Sequence, residues 1–277
     1  MTMQSHTDHK IVFRKQNFDF PEDLDRHWLH QSPLQTHIFN TLTLMLPCAE
    51  RFFCDSIRHY ITSLKDPKLV KDARSFISQE IQHYNGHTLS VDIMKKQGYK
   101  LDGYLSFVRR YGFYSITKIF GPKVALAATA GYEHYTTSLA ELLLQSTILD
   151  DAEPHMKELF EWHAAEEIEH KSVAIDVLKA VDSGYWLRIL GYILGTGSLF
   201  FFSTIGLLML LKQDKALFRW RNISDYWYIL KQGKFFIPSL FQALKYFKPN
   251  YHPSELNTDY LAANVLGRFP PAPIARP

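Results

Sequence analysis

Four stretches of this chain carry carboxylates and histidines at spacings suited to metal ligation. Glu50 lies in PCAERFF, Glu80 and His83 in EIQH, Glu133 in AGYEHYTT, and Glu167 and His170 in EIEH. The order along the chain is Glu, ExxH, Glu, ExxH. Residues three apart on a helix project from one face with Cβ atoms about 5–6 Å apart, so each ExxH can serve a single centre. A pair of metals inside a helical bundle needs bridging carboxylates and one imidazole per ion. Two ExxH helices and one carboxylate from each of two others supply that set. On this reading Glu80 and Glu167 bridge, Glu50 and His83 complete one metal, and Glu133 and His170 complete the other. Two divalent cations also neutralise four glutamates. Without them, four buried carboxylates would be costly, and some would take up protons. A single ExxH fits a solvated helix face equally well. The ordered set of six is much harder to reach by chance, and each lone glutamate has apolar neighbours, Phe52 and Phe53 for one and Ala128, Ala130 and Leu139 for the other.

Further groups lie on the same faces. His87 follows His83 by four and His163 precedes Glu167 by four, so each is read either as a ligand or as a side chain that holds the ligands in place. Glu166 adjoins the ligand face and is the candidate catalytic proton carrier, or a solvated acid. Glu169 is expected to point away to the surface. His134 and Glu141 are placed outside the ligand set, and His37, His59 and His155 are taken as incidental. Oxygen-rich donors with two nitrogens favour iron or manganese over structural zinc, which prefers closed sulfur and nitrogen sites. Two ions per chain are therefore expected, iron first, with manganese or zinc as alternatives. No nucleophile elbow, P-loop or dinucleotide fingerprint is present.

These residues must be positioned by helices. Apolar residues recur at helical spacing from about Leu34 to Leu64, with Pro47 as a start or a kink. Asp66-Pro67 opens a second helix that stops at Gly98. Residues 99–120 are aromatic and broken by Gly103 and Gly112. Gly121-Pro122 opens a third helix running to about Leu149, and the acidic run before Pro154 opens a fourth, running to Val181. Strand signals are weak, so the fold is read as all-α. The bundle spans 33–184, preceded by an arm over 1–32 and followed by a hydrophobic and basic appendage over 185–250 and a proline-rich tail over 251–277. From Ile189 to Leu211 no residue is charged. At about 1.5 Å per residue this is roughly 35 Å of helix, enough to cross a hydrocarbon core. Burial against the bundle is the other reading. The basic bias after the segment (Lys212, Lys215, Arg219, Arg221) would put its C-terminal side inside a cell. Yet the metal-binding part has no signal sequence and is expected there too, and one span cannot satisfy both. A re-entrant or interfacial segment, or a second pass through part of 225–247, resolves the conflict. The net charge of +3 is too small for a dedicated nucleic-acid binder. Cys48 and Cys54 form no disulfide framework or zinc motif and read as thiols of a reducing compartment.

The stretches PCAERFF, FISQEIQHYNGH, AGYEHYTT and WHAAEEIEHKSVAIDV resemble the bacterial family of predicted metal-dependent hydrolases, over about residues 20–250. The ligand pattern is also similar to that of the ferritin-like di-iron superfamily, whose members mostly activate dioxygen. The resemblance therefore implies a ferritin-like four-helix core and two alternative chemistries. One is hydrolysis at a carbonyl or phosphoryl centre with Glu166 handling protons. The other is oxidation of an apolar substrate by a di-iron centre. Typical ferritin-like sites have two histidines near the metals, whereas this chain offers four. Metal storage without catalysis is a third possibility, against which the uncharged segment argues. The expected partner is a small, possibly lipid-like molecule, and the expected location is the cytoplasm or the inner face of its membrane.

Overall fold

The computed structural model describes residues 11–231, 241–242 and 244–271. Most of the described residues are helical, and the only β-type pairing among them is a bridge between Leu29 and Ala152. Helix α1 (Pro33–Tyr60) is capped by Ser32, whose hydroxyl accepts the Gln35 amide at 3.2 Å. It continues through Pro47 without a break. Leu44, Met45, Leu46, Ala49, Phe52 and Phe53 are all buried around that point, and their packing offsets the backbone bond that proline removes. Helix α2 (Pro67–Lys96) starts on the Asp66 cap. It ends at Gly98, whose φ of 92° lets the Gly98 and Tyr99 amides turn back to the carbonyls of Lys95 and Met94.

The aromatic stretch forms two short helices, α3 (Asp102–Tyr111) and α4 (Phe113–Phe120). Helix α5 (Pro122–Gln145) stops short of Leu149. Helix α6 (Pro154–His170) is capped by Glu153, which accepts the Met156 amide at 3.0 Å. The fourth helix does not run unbroken to Val181. It pauses at Lys171-Ser172 and resumes as α7 (Val173–Val181). At that pause Lys171 is buried, and its Nζ donates to Leu256 O (2.8 Å), Thr258 Oγ1 (3.2 Å) and Asp259 Oδ1 (2.7 Å). The break is thus made by a segment more than eighty residues away, which local periodicity cannot register.

Helices α1, α2, α5 and α6 form the bundle. Helix α8 (Tyr185–Gln213) lies along α5 and α1, α9 (Arg221–Lys231) touches α1, and α10 (Asp259–Leu266), within the proline-rich tail, covers α6. The segment 185–250 therefore meets the bundle along the length of α8. Residues 232–240 and 243, part of the region read as a second pass, lie outside the described residues. The α5–α8 contact is made by small residues. A Cβ on Gly191 would sit 2.2 Å from the Ala127 carbonyl carbon, and one on Gly131 would sit 2.4 Å from Tyr192 Cα. The opposite face of α8 carries Trp186, Leu190, Ile193, Phe200, Phe201 and Leu208 into the open.

Candidate metal centre

Every residue of the predicted ligand set is buried, and all six point into one region of the bundle. Glu50 comes from α1, Glu80 and His83 from α2, Glu133 from α5, and Glu167 and His170 from α6. Donor atoms gather in two groups, one of Glu50, His83 and His163, the other of Glu80, Glu133, Glu167 and His170. In the second group His170 Nε2 lies 3.2 Å from Glu133 Oε2, 3.3 Å from Glu80 Oε1 and 3.7 Å from Glu167 Oε2. Two carboxylates reach both groups. Glu80 Oε1 is also 3.8 Å from His83 Nδ1, and Glu167 Oε1 is 2.9 Å from His163 Nε2. His163 belongs to the first group, and its Nδ1 lies 4.0 Å from Glu50 Oε1. His87 sits behind it, with its Nε2 2.6 Å from His163 Nδ1 and its Nδ1 3.3 Å from the Thr43 hydroxyl.

The outer hydrogen bonds decide which nitrogen each histidine presents. His83 Nε2 is 3.2 Å from Glu166 Oε2, so this carboxylate accepts a hydrogen bond from Nε2–H and leaves Nδ1 bare. His170 Nδ1 is 3.2 Å from Gln79 Oε1, so Nε2 is the bare atom there. Gln79 is fixed in turn, because its amide donates to Glu169 Oε2 at 2.7 Å and to Val12 O at 3.2 Å. Glu169 is therefore not a surface residue. It is buried, accepts two bonds from Arg14 (2.9 and 3.0 Å) and one from the Val12 amide (3.1 Å). Arg14 also reaches Glu166 at 3.5 Å. Thr136 donates to Glu167 Oε2 at 2.6 Å. Gln79, Arg14, Thr136 and Thr43 carried no signal in the sequence, since neutral side chains and a remote arm form no local pattern.

Burial pushes the carboxyls of Glu50 and Glu133 well above their ordinary range, and neighbouring carboxylates add to it. Glu80 is pushed up to about 8 by burial, with Glu167 adding to it and His170 opposing. Burial alone would raise Glu167 as well, but His163 and His170 outweigh it and hold Glu167 well below the usual range. Burial would lower His170, and the carboxylates of Glu133 and Glu167 raise it instead. Burial drives His87 well down, and it also lowers His163. The site thus takes up protons where cations could stand.

These residues fit divalent cations. Both carboxylate oxygens of Glu50, Glu80 and Glu133, together with His83 Nδ1 and His170 Nε2, are buried without a hydrogen-bond partner. A buried polar atom left so is costly, and these are the atoms of a carboxylate–imidazole donor set that suits iron or manganese. The incidental histidines lie elsewhere. His59 packs on Tyr60, and His155 contacts Glu153 at 2.6 Å. His134 lies between Tyr246 and Tyr251, and Glu141 accepts from Thr258 at 2.6 Å. His37 joins His27 against Asp214 in a third group with metal-ligand proximity, but that carboxylate already accepts from Arg26 and Tyr99.

An apolar cavity of about 80 Å³ reaches the centre between α1, α5 and α6, with Glu167 and His163 among its lining residues. An all-α protein with buried histidine–carboxylate clusters in its bundle is, in class, a helical protein built to hold metal. The chain belongs to the family described as predicted metal-dependent hydrolase, which matches residues 12–257. No curated protein and no solved structure matches it.

Proposed function

We propose that this protein is an enzyme with a dinuclear, carboxylate-rich metal centre, filled by iron, that acts on an apolar substrate. The observation that carries this reading is the pair of adjoining donor groups, whose bare atoms converge from four helices. Glu80 and Glu167 would be shared between the two ions, since each approaches histidines of both groups. Glu50, His83 and His163 would hold one ion, and Glu133 and His170 the other. Glu166 acts through His83 by accepting the hydrogen bond from Nε2–H, and the Gln79 amide oxygen does the same for His170 at Nδ1–H. His163 Nδ1–H donates to His87 Nε2 and so leaves the Nε2 lone pair of His163 free beside Glu167. When bound, the ions would supply Lewis acidity and acidified water for hydrolysis, or, if redox-active, electrons for dioxygen.

Hydrolysis is the chemistry the family description predicts. The wall of the cavity favours oxidation as the second reading, because Leu46, Tyr132, Phe160 and Leu199 suit a hydrocarbon better than an ester or phosphate group. The test is metal analysis of the full-length protein, followed by optical spectra of the reduced form before and after oxygen, and ester hydrolysis assayed without oxygen. Two irons and an oxygen-dependent spectral change support oxidation. Hydrolysis that persists anaerobically supports the family description. Fewer than two metals per chain, or uptake of iron into a large assembly, would overturn the dinuclear enzyme.

A further inference from the structure

The cavity next to the metal centre carries the observations furthest. At about 80 Å³ it exceeds several-fold the roughly 10–15 Å³ that one water requires. Its wall is nearly all carbon, and its polar side chains, Tyr132, Thr136, His163 and Glu167, are all at the metal end or beside it. Leu42, Leu139 and Leu143 are half-buried, whereas Leu46, Phe160 and Leu199 are buried. The leucines therefore mark the outer rim, and the donor groups mark the floor. The rim adjoins α8, since Phe200 packs edge-on against Tyr135, one turn before Leu139, with ring centroids 5.3 Å apart.

We propose that this cavity admits the terminal few carbons of a lipid-like molecule's hydrocarbon chain, the rest of which lies over the open rim, with the chain's reacting carbon held against Glu167 and His163. A polar ligand would leave its own groups unpaired along the carbon wall. The proposal deepens the enzyme reading by naming the substrate class. The test is equilibrium dialysis of radiolabelled palmitic acid against the full-length, metal-loaded protein, with metal content measured on the same samples. Saturable binding is expected, weakened several-fold by Ala140→Phe, which fills the cavity, and by Leu42→Trp at its rim, with metal content unchanged. Binding that is absent, or indifferent to both substitutions, overturns the proposal. Saturable binding in a protein that holds no metal would leave the cavity and overturn the enzyme.

A separate observation concerns the outer face of α8. A helix on the surface of a soluble body presents polar residues outward, yet here Trp186 is 79% exposed, Ile193 55%, Phe200 55% and Phe201 57%. Exposed Lys212, Lys215, Arg219 and Arg221 follow at its C-terminal end, where the acids Asp214 and Asp225 are turned inward and paired. We infer that this face seats on an anionic lipid bilayer, with α8 lying in the interface rather than crossing it. Helix α8 is long and apolar enough to span. It lies lengthwise on α5 and α1, however, so a crossing would drag α1, with its exposed Arg51 and Asp55, into the membrane beside it. The test is sedimentation of the full-length protein with vesicles of phosphatidylcholine, with and without phosphatidylglycerol. The protein is expected to pellet with the anionic vesicles, less so at high salt, and the Phe200→Glu, Phe201→Glu double variant is expected to stay in solution with its metal intact. A wild type that stays in solution, or a double variant that pellets equally, overturns the inference. So does a wild-type dimer that the double variant splits, which would assign the face to a second copy of the chain.

Discussion

At the scale of single residues, the centre depends on groups that touch no metal. Removing a bridging carboxylate is the direct test. Glu80→Ala or Glu167→Ala should each cost at least one metal per chain by elemental analysis, and two metals retained in both would contradict the assignment. Gln79 is the more informative position. Its amide oxygen fixes His170, and its amide nitrogen is held by Glu169 and the Val12 carbonyl. Partners of this kind typically set metal affinity by roughly 10–100-fold. Gln79→Leu should therefore weaken metal retention against a chelator by about that factor while leaving the helix content unchanged, and Glu169→Ala should move in the same direction. Equal retention in both variants would mean that His170 is held by its own packing, for instance on Phe76. The grouping of the six candidate donors was legible in the sequence because three-residue spacing on a helix is a local fact. The role of Glu169 was not. Its helix phase turns it from Glu167, but the arm from Ile11 to Arg14 folds over that side and buries it, and no periodicity reports what covers a helix.

At the scale of elements, the same division holds. Helix starts were legible at Asp66-Pro67, at Gly121-Pro122 and before Pro154 because caps act within a few residues, whereas the Ser32 cap of α1 was not read. The break after His170 was not, since Lys171 answers to Leu256, Thr258 and Asp259. The apolar stretch in α8 was legible as a long helix, but its use of glycine depends on what lies opposite. Gly191 meets backbone atoms of Ala127, which cannot step aside as a side chain can, while Gly197 has nothing within 4 Å. Gly191→Val should therefore destabilise the fold by about 3 kcal/mol or more through overpacking. Gly197→Ala should be neutral, or stabilising by up to about 1 kcal/mol from helix propensity. Denaturant midpoints of the two variants check the pair. Similar losses at both positions would mean that α8 is not seated on α5 through its glycines.

At the scale of the whole molecule, the N-terminal arm links the metal centre to the far end of α8. Its Arg14 holds Glu169 near the ligands. Further along, Arg26 and His27 meet Asp214 just after α8, where His37 of α1 and Tyr99 beyond α2 also converge. Burial would raise the Asp214 carboxyl, but the bonds from His37, His27 and Tyr99 outweigh it and hold it well below the usual carboxylate range. Burial lowers His37, although Asp214 opposes this. Both groups bind fewer protons folded than unfolded, so their contribution to stability falls as pH falls. The loss from His37 begins below its unfolded value of about 6.5, and that from Asp214 below about 4. Acidification should therefore release the end of α8 and the arm together. The protection factors of the amides over Leu210 to Asp214, taken relative to the slower intrinsic exchange in acid, are expected to fall from about pH 6.5 downward. In Asp214→Asn the same amides should exchange quickly already at neutral pH, with little further response to acid. Local exchange is the right readout because Glu50, Glu80 and Glu133 respond in the opposite sense. Their carboxyls are raised in the folded chain, so a global melting temperature would mix the two effects. Protection at Leu210 to Asp214 that stays unchanged between neutral and acid pH would mean that the arm, and not the Asp214 node, holds α8 in place.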